Sequence, residues 1–240
     1  MSANKKRIIL KLSGEALGFE KGQGINPSKV KEIAAEIKEL YDLGGIQLSV
    51  VVGAGNIWRG RDAVDCGMER SSADYMGMLA TILNALALQS ALEGLGCDTR
   101  VMTSISIPAV AEPYIRRKAL SDLEKDRILI FGGGNGIPFF STDTTAALRS
   151  AELGADLILM AKNGVDGVYD SDPRVNKDAK KFTKLTHEEV LDKHLHVMDL
   201  TAATLCSENY IDIFVFDMNK KGNIARAVKD HSFGTIITNK

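Results

Sequence analysis

Short apolar runs that alternate with helical patterns constrain the fold of this chain more than any other feature. The most continuous of these runs lie at residues 7–12, 48–52, 128–131 and 157–160. Runs of this kind are typical of strands in a parallel sheet that helices cover on both faces. The alternation of strand and helix therefore predicts an α/β fold with a mostly parallel central sheet and right-handed crossovers.

Helical periodicity fills the segments between these strands. Asn26-Pro27 supplies a cap and a first-turn proline for one helix, and Gly44 can end it in the left-handed conformation. A long helix is predicted to begin at Ser71. Further helices are expected at 143–153, 186–192 and 199–208, and further strands at 100–103, 213–216 and 235–237. Because no linker, repeat or low-complexity tract interrupts the pattern, we expect a single domain over residues 1–240.

Charge and hydropathy exclude two classes of partner. The chain has 45% hydrophobic and 25% charged residues and a formal net charge of −1, so it has no positive surplus for a nucleic-acid backbone. The basic start MSANKKR precedes a short apolar run, IILKL, and no apolar run reaches the roughly 20 residues of a membrane span. We therefore expect a cytoplasmic protein without a nucleic-acid substrate or a membrane segment.

Cysteine and histidine spacing gives no sign of a metal site. Cys66, Cys97 and Cys206 form no CxxC pair, which favours a reducing compartment over a zinc site or a disulfide framework. His194 and His196 alternate in a polar stretch without a third ligand nearby, so we expect them at the surface.

Glycine-rich segments follow three of the predicted strands. They read Lys11-Leu12-Ser13-Gly14, Gly53-Ala54-Gly55-Asn56 and Gly132-Gly133-Gly134-Asn135-Gly136. Ligands of open parallel sheets bind at the carboxyl ends of the strands, and glycine allows several backbone N–H groups to face one phosphate. A single loop of this kind is equally typical of a simple connection. Three at equivalent strand ends predict a phosphate-binding site.

These loops match neither of two common phosphate motifs. The pattern GxxxxGK[ST] does not occur in the chain. Trp58 and Ile137 stand where the dinucleotide fingerprint requires its third glycine. A dehydrogenase of the Rossmann type is therefore disfavoured.

Charged residues beside the loops suit phosphoryl transfer. Lys11 ends an apolar strand, Arg59 follows the second glycine loop, and Asp143 begins the helix beyond the third. Phosphoryl transfer requires mainly positioning and positive charge, with one orienting carboxylate. The alternatives are a Lys11 that reaches solvent along its stem and an Asp143 that only caps its helix.

Six motifs occur in order along essentially the whole chain. They are KLSGE at 11–15, GAGNIWRG at 53–60, DYMGMLAT at 74–81, PFFSTD at 138–143, VDGVY at 165–169 with Asp172-Pro173, and VMD at 197–199. The ordered set resembles the bacterial-type uridylate (UMP) kinases of the amino-acid-kinase fold. The resemblance implies a three-layer α/β/α subunit in a homohexamer that makes UDP and ADP from UMP and Mg·ATP. It also implies GTP as an activator and UTP as an inhibitor.

The same resemblance assigns residues to each ligand. For ATP it implies Lys11, Leu12, Ser13, Gly14, Gly55, Arg59, Asn163, Tyr169 and Asp172. For UMP it implies Ala54, Asp74, Asn135, Gly136, Ile137, Pro138, Phe139, Phe140, Ser141 and Thr142, with Asp74 on the ribose. For GTP it implies the loop Phe19, Glu20, Lys21, Gly22, Gln23 and Gly24. Lys11, Arg59 and Asp143 are then the catalytic residues, and Mg²⁺ is held mainly by the phosphates rather than by a protein metal site.

Two departures from the family pattern affect these assignments. Ala54 stands in the middle of a segment where the family usually has three consecutive glycines. The third loop reads Gly134-Asn135-Gly136-Ile137-Pro138, where the family usually has Gly-Thr-Gly-Asn-Pro. Because the threonine and asparagine are replaced, we expect nucleotide contacts in this loop through the backbone or through Asn135.

Two other functions are compatible with the same fold. One is transfer to a carboxylate or carbamate, as in the amino-acid kinases, although the Asp74 motif and PFFSTD favour a nucleotide acceptor. The other is a regulatory or storage protein that binds nucleotides without catalysis. The presence of Lys11, Arg59 and Asp143 together argues against that alternative.

Overall fold

A nine-stranded sheet forms the centre of the molecule and confirms the predicted α/β class. The computed structural model describes residues 5–20, 22–195 and 197–239, without the side chains of Arg61 and Ala63. The strands are β1 (Lys6–Leu12), β2 (Ile46–Val52), β3 (Thr99–Thr103), β4 (Glu112–Pro113), β5 (Ile128–Gly132), β6 (Leu157–Lys162), β7 (Val168–Tyr169), β8 (Lys181–Phe182), β9 (Lys184–Thr186), β10 (Asp212–Asp217) and β11 (Thr235–Thr238). The order in the large sheet is β4-β3-β5-β2-β1-β6-β10-β11-β9, and β7 pairs with β8 separately. Within the described residues, β10 and β11 are the antiparallel neighbours of the large sheet, and its other pairs are parallel.

Helices cover both faces of this sheet. They are α1 (Pro27–Asp42), α2 (Gly60–Asp65), α3 (Arg70–Glu93), α4 (Arg116–Glu124), α5 (Thr142–Leu153), α6 (His187–Asp192), α7 (Leu200–Glu208) and α8 (Asn223–Arg226), with a short 3-10 helix at Gly14–Leu17. One hydrophobic cluster joins α1, α3 and α8 to one face of the sheet. Two others join α4 and α5, and α5, α6 and α7, to the opposite face. The expected three-layer α/β/α arrangement is therefore confirmed.

Strand β1 shows why the apolar runs are continuous. Ile8 and Leu10 pack into the cluster beneath α1 and α3, whereas Ile9 packs beneath α4 and α5. All three side chains are fully buried. A strand in the middle of three layers has no face for polar residues, so its sequence does not alternate.

The predicted elements are found, each within two residues of its expected bounds. Helix α4 is the longest element that the sequence pattern missed, because its charged sequence RRKALSDLE buries only Ala119, Asp122 and Leu123. The long helix α3 begins at Arg70 rather than Ser71. Its N-cap is Glu69, whose carboxylate accepts from the backbone N–H of Ser71 and Ser72, and these bonds lower the pKa of Glu69 to about 2.

Helix α3 does not contain an unbroken apolar run of the length that was considered in the sequence, because Asp74, Asn84 and Gln89 interrupt it. Among the described residues, this helix alone is nevertheless long and apolar enough to cross a bilayer by length and composition. One side of the helix packs in the core, where Ala85, Leu88 and Leu92 are fully buried. A core helix of a three-layer protein has the same length and composition, so the feature is weak support for a membrane span.

An aromatic cluster around Phe214 is centred on β10, a strand near the carboxyl terminus of the chain. This side chain is fully buried, and its ring centroid lies 5.5 Å from that of Phe216 and 5.2 Å from that of Phe233.

We expect Phe214→Ala to lower the free energy of unfolding by about 3–5 kcal/mol, since it removes a large buried side chain and leaves a cavity. Urea denaturation measures this change. Tyr210→Ala, at a position that is 78% exposed, is the control and should change stability by less than about 0.5 kcal/mol. Equal effects of the two substitutions would contradict this packing.

Candidate active site

The predicted glycine loops leave one edge of the sheet and contact each other. In the parallel register, Leu12 of β1 pairs with Val52 of β2 and with Ala161 of β6, so these strands end at the same level. A Cβ atom added to Gly14 would lie 2.5 Å from the carbonyl oxygen of Gly53, which leaves room only for glycine. The first two loops are therefore packed backbone against backbone.

The third loop reaches the same place through α5. A Cβ atom on Gly53 would lie 3.5 Å from the hydroxyl of Thr142, the first residue of α5. Ser141 caps this helix by accepting from the N–H of Asp143 and Thr144. The amino end of α5, with its favourable potential for anions, thus faces the junction of the first two loops.

A buried ion pair lies at this junction. Lys11 Nζ is 2.6 Å from Asp143 Oδ1, and the two side chains are 11% and 16% exposed. Burial alone would raise the pKa of Asp143, but the ammonium groups of Lys11 and Lys162 hold that pKa below its ordinary value. The geometry excludes a Lys11 that reaches solvent freely and an Asp143 that serves only as a cap.

Lys162 is a charged residue of this cluster that the sequence analysis missed. It ends β6, and its Nζ donates a hydrogen bond of 2.6 Å to the carbonyl oxygen of Val197. Burial lowers the pKa of Lys162, and the nearby carboxylate of Asp143 opposes that change. A signal for it was present, because Lys162 follows an apolar strand in the same manner as Lys11. This cluster therefore combines two cations with one carboxylate, and cations held in place suit a phosphate ligand.

Asp199, in the quoted motif VMD, has a role in this site that the motif alone did not indicate. Its Oδ2 atom accepts from the hydroxyl of Thr144 at 2.8 Å and from that of Ser141, and its Oδ1 atom accepts from the N–H of Ala202. The carboxylate thereby links the start of α7 to the start of α5, the helix that carries Asp143.

A cavity of about 570 Å³ opens beside this cluster. Its walls include five of the residues that were assigned to ATP, namely Lys11, Ser13, Asn163, Tyr169 and Asp172. The other four, Leu12, Gly14, Gly55 and Arg59, do not line it. The side chain of Leu12 is fully buried in the core, so only its backbone can meet a ligand. Arg59 lies at the rim, where its Nη2 atom is 2.5 Å from Glu15 Oε1, and Glu15 lines the cavity.

The aromatic wall of this cavity is fixed by hydrogen bonds. The hydroxyl of Tyr169 donates to Asp166 at 2.6 Å, which raises the pKa of Tyr169 to about 12. Asp166 also pairs with Lys181 at 3.0 Å. His194 is exposed, as expected, and lines the same cavity, whereas His196 lies outside the described residues. No group of metal-ligating side chains occurs among the residues that were searched, which are the described ones.

Two adjacent cavities, of about 510 and 290 Å³, share Gly60, Asp74, Phe140 and Ser141 as lining residues. The smaller is lined by six of the residues that were assigned to UMP, namely Ala54, Asp74, Ile137, Phe140, Ser141 and Thr142. Phe139 lines the larger one. Asn135, Gly136 and Pro138 line neither.

Asp74 is already engaged by two groups. Its carboxylate accepts from Arg70 Nε at 2.8 Å and from the backbone N–H of Phe139 at 2.8 Å. Phe139 adopts a left-handed φ of 74°, which is unusual for a residue other than glycine. Arg70 lines the larger of these two cavities and was not predicted from the sequence. In the described structure, Arg70 and the backbone of Phe139 therefore share the carboxylate of Asp74.

The segment 19–24 is attached to the second glycine loop. The N–H of Gly24 donates to the carbonyl oxygen of Asn56 at 2.6 Å, and the Asn56 side chain donates to the carbonyl oxygen of Gly24 at 2.7 Å. Phe19 is exposed in this loop, and Lys21 lies outside the described residues.

The charge cluster makes a direct prediction for titration. Removal of either cation in Lys11→Met or Lys162→Met should raise the pKa of Asp143, because each ammonium favours the ionised carboxylate. The change should be larger for Lys11→Met, the closer partner. Carbon-13 NMR of the aspartate carboxyl groups over a pH series measures it. Lys29→Met, which removes an exposed pair with Glu32, should leave the Asp143 pKa unchanged. An unchanged or lower Asp143 pKa in both test variants would contradict the described cluster.

Comparison with known proteins gives a consistent result. The model of the amino acid kinase family matches residues 6–217. A uridylate kinase of Limosilactobacillus reuteri (strain DSM 20016) is 60% identical over 232 residues, which cover 97% of this chain and 96% of the relative. A uridylate kinase of Pediococcus pentosaceus is 56% identical, with the same coverage.

Solved structures agree with these sequences. The UMP kinase of Bacillus anthracis superposes with a TM-score of 0.93 at 43% identity, covering 98% of this chain and 96% of that one. The uridylate kinase of Archaeoglobus fulgidus gives a TM-score of 0.71 at 29% identity, covering 96% and 99%. The chain therefore belongs to the amino acid kinase family and, within it, to the uridylate (UMP) kinases.

Proposed function

We propose that this chain is a nucleoside monophosphate kinase that transfers the γ-phosphoryl group of Mg·ATP to UMP, giving UDP and ADP. The observation that carries the proposal is the cluster of Lys11, Asp143 and Lys162 between two sets of cavities. Lys11 lines the cavity of about 570 Å³, which we assign to ATP. Ser141 and Thr142, directly before Asp143, line the cavities that we assign to UMP.

The chemistry follows from the charges. The transferred phosphoryl group carries negative charge on its outer oxygens, and preorganised cations stabilise it without moving. Lys11 and Lys162 provide those cations; Asp143 holds Lys11 through an ion pair, and the carbonyl oxygen of Val197 accepts from Lys162. The pKa of Asp143 is held low, so its role is to orient Lys11 rather than to transfer a proton. The attacking phosphate oxygen of a nucleoside monophosphate is already ionised, and no general base is needed.

Mg²⁺ adds neutralisation of the phosphate charge when it is bound to ATP. Asp143 already faces two ammonium groups, so its charge is compensated. This fits an ion that arrives with the phosphates of ATP and is held mainly by them. The backbone N–H groups of the glycine loops and the guanidinium of Arg59 at the cavity rim are the remaining phosphate-binding groups that we propose.

The acceptor cavities favour a nucleotide over a small carboxylate. Trp58, Met78, Ile137 and Phe140 give the smaller cavity an apolar wall that suits a flat base, and Asp74 gives it an acceptor for ribose hydroxyls. An amino-acid acceptor would instead require a cation for its α-carboxylate and an anion for its α-ammonium at the place of this apolar wall. We therefore retain UMP as the acceptor and place carboxylate or carbamate transfer second.

A substrate panel tests this assignment. With Mg·ATP as donor, we expect turnover of UMP to exceed that of each other nucleoside monophosphate and of glutamate or aspartate. Lys11→Ala should lower UMP turnover at least ~100-fold, on the scale of losing one preorganised charge-stabilising group. A coupled ADP assay measures both. Absence of UMP turnover by the wild-type protein would overturn the function, and near-normal turnover by Lys11→Ala would overturn the role of the lysine.

We also propose a homohexamer whose subunits meet along α3. This helix exposes an apolar stripe that consists of Tyr75, Met76, Leu79 and Leu83. These side chains are 41–53% exposed, and Leu83 is the most exposed of them. Exposed apolar patches of this kind are typical of subunit contacts. We further propose that residues 1–240 act as one domain and that the protein is cytoplasmic. In this proposal, GTP activates the enzyme by binding to residues 19–24, and UTP inhibits it.

Charged residues in this stripe should disrupt the assembly. We expect the double substitution Leu79→Asp with Leu83→Asp to reduce the mass in solution, because the carboxylates would be desolvated at the interface. Light scattering after size-exclusion chromatography measures the mass. Tyr210→Asp, on an exposed residue between α7 and β10, is the control. A wild-type protein that is already monomeric would contradict the oligomer, and an unchanged mass in the double variant would contradict the contact along α3.

A further inference from the structure

A buried arginine lies behind the acceptor cavities and has no part in the cluster described above. Arg149 belongs to α5, the helix that begins beside Asp143, and is 4% exposed. Its guanidinium forms an ion pair with Glu152 and lies 3.7 Å above the ring centre of Tyr114. The hydroxyl of Tyr114 donates to the same Glu152 at 2.8 Å. The charge is thereby compensated and the guanidinium plane is held in one orientation.

The free edge of this guanidinium points to the segment that follows β3. Arg149 Nη2 donates to Ser104 Oγ at 2.8 Å. Ser104 Oγ in turn donates to the carbonyl oxygen of Gly134 at 2.7 Å. Because the arginine N–H occupies a lone pair of the hydroxyl, the hydroxyl hydrogen is directed to Gly134. A chain of charge-assisted hydrogen bonds of this kind is stronger than an isolated one.

Gly134 belongs to the turn 133–136, where the chain departs from the family pattern. Gly133 and Gly136 have φ values of 78° and 81°, and a Cβ atom on Gly136 would lie 3.0 Å from the carbonyl oxygen of Ser104. Such a glycine-rich turn is costly to order, so it requires attachments outside itself. The turn has two side-chain attachments in the described structure. Thr81 Oγ1 accepts from the N–H of Gly133 at 2.8 Å, and Ser104 holds Gly134.

The turn leads directly into the walls of the acceptor cavities. Gly134 itself and Ile137 line the smaller one. A displacement of the turn would therefore change the shape of the smaller acceptor cavity. The ATP cavity is lined by none of residues 133–142. We propose that Ser104, oriented by Arg149, is a positioning residue that holds the turn 133–136 in the shape that binds the acceptor nucleotide. This inference rests on the proposed function for the identity of that acceptor.

Steady-state kinetics of Ser104→Ala tests the proposal. We expect KM for UMP to rise about tenfold, on the scale of one hydrogen bond to a charged network, with kcat and KM for ATP within about twofold of wild type. Arg149→Lys keeps the charge beside Glu152 but loses the planar fork that serves Ser104, so it should raise KM for UMP in the same selective manner. Ser106→Ala, an exposed serine of the same segment, is the matched control and should match wild type.

The selectivity of the effect separates positioning from general stability. If either variant leaves KM for UMP within about twofold of wild type, or raises the KM values for UMP and ATP equally, the inference is overturned. Hydrogen exchange gives a readout without turnover, since amides of residues 134–137 should exchange at least about fivefold faster in Ser104→Ala. Unchanged exchange there would also overturn it. Failure of the wild-type protein to phosphorylate UMP would instead overturn the proposed function, and hydrogen exchange would still test the attachment of the turn.

Discussion

The ion pair between Lys11 and Asp143, with Lys162 nearby, is the interaction on which the site depends. An isolated charge at the end of a buried strand would be costly to desolvate, and charges of opposite sign close to each other reduce that cost. The three residues come from β1, β6 and the start of α5, so the cluster can form only if the sheet order places β1 beside β6 and α5 over both. Lys11 and Lys162 line the cavity of about 570 Å³, whereas Ser141, two residues before Asp143, lines both cavities next to Asp74.

Close backbone contacts and side-chain hydrogen bonds restrict the conformation of the loops around this cluster. Gly14 and Gly53 touch through their backbones, and a side chain on Gly14 would collide with the carbonyl of Gly53. The turn 133–136 is held from α3 through Thr81 and from the other face through Ser104 and Arg149. Polar side chains that are far apart in sequence thus fix the backbone N–H groups at the edge of the sheet. Preorganisation of this kind is what phosphoryl transfer requires of a protein.

The sequence was sufficient to predict the layers and the edge of the sheet that carries the site. Apolar strands that end in glycine and lysine are a local signal, and Lys11 was found from it, whereas Asp143 was found from its place at the start of the helix beyond the third loop. Lys162 carried the same signal, a lysine at the end of an apolar strand with Gly164 close behind it, and was missed because the predicted strand ended at Met160. Arg70 could not be found in this way, since its bond to Asp74 depends on how the start of α3 meets Phe139. Helix α4 was missed for a different reason, because few of its side chains are buried.

Loop contacts were the least predictable part of the site. Asn135 was expected to take over a nucleotide contact, yet its side-chain oxygen is buried without a hydrogen-bond partner among the described residues, and the residue lines none of the three cavities of the site. Ile137, which replaces a polar residue of the family pattern, lines the acceptor cavity instead. Sequence motifs give the position of such a loop but not the direction of each side chain, which the surrounding elements determine.

The role of the lysine cluster is tested most directly by a crystal structure with ADP, UMP, Mg²⁺ and a metal fluoride that mimics the transferred phosphoryl group. The cluster predicts that the Nζ atoms of Lys11 and Lys162 lie about 3 Å from the fluoride or from the phosphate oxygens on either side of it. A fluoride bound between the two nucleotides with both lysines beyond hydrogen-bonding distance would contradict the proposed mechanism.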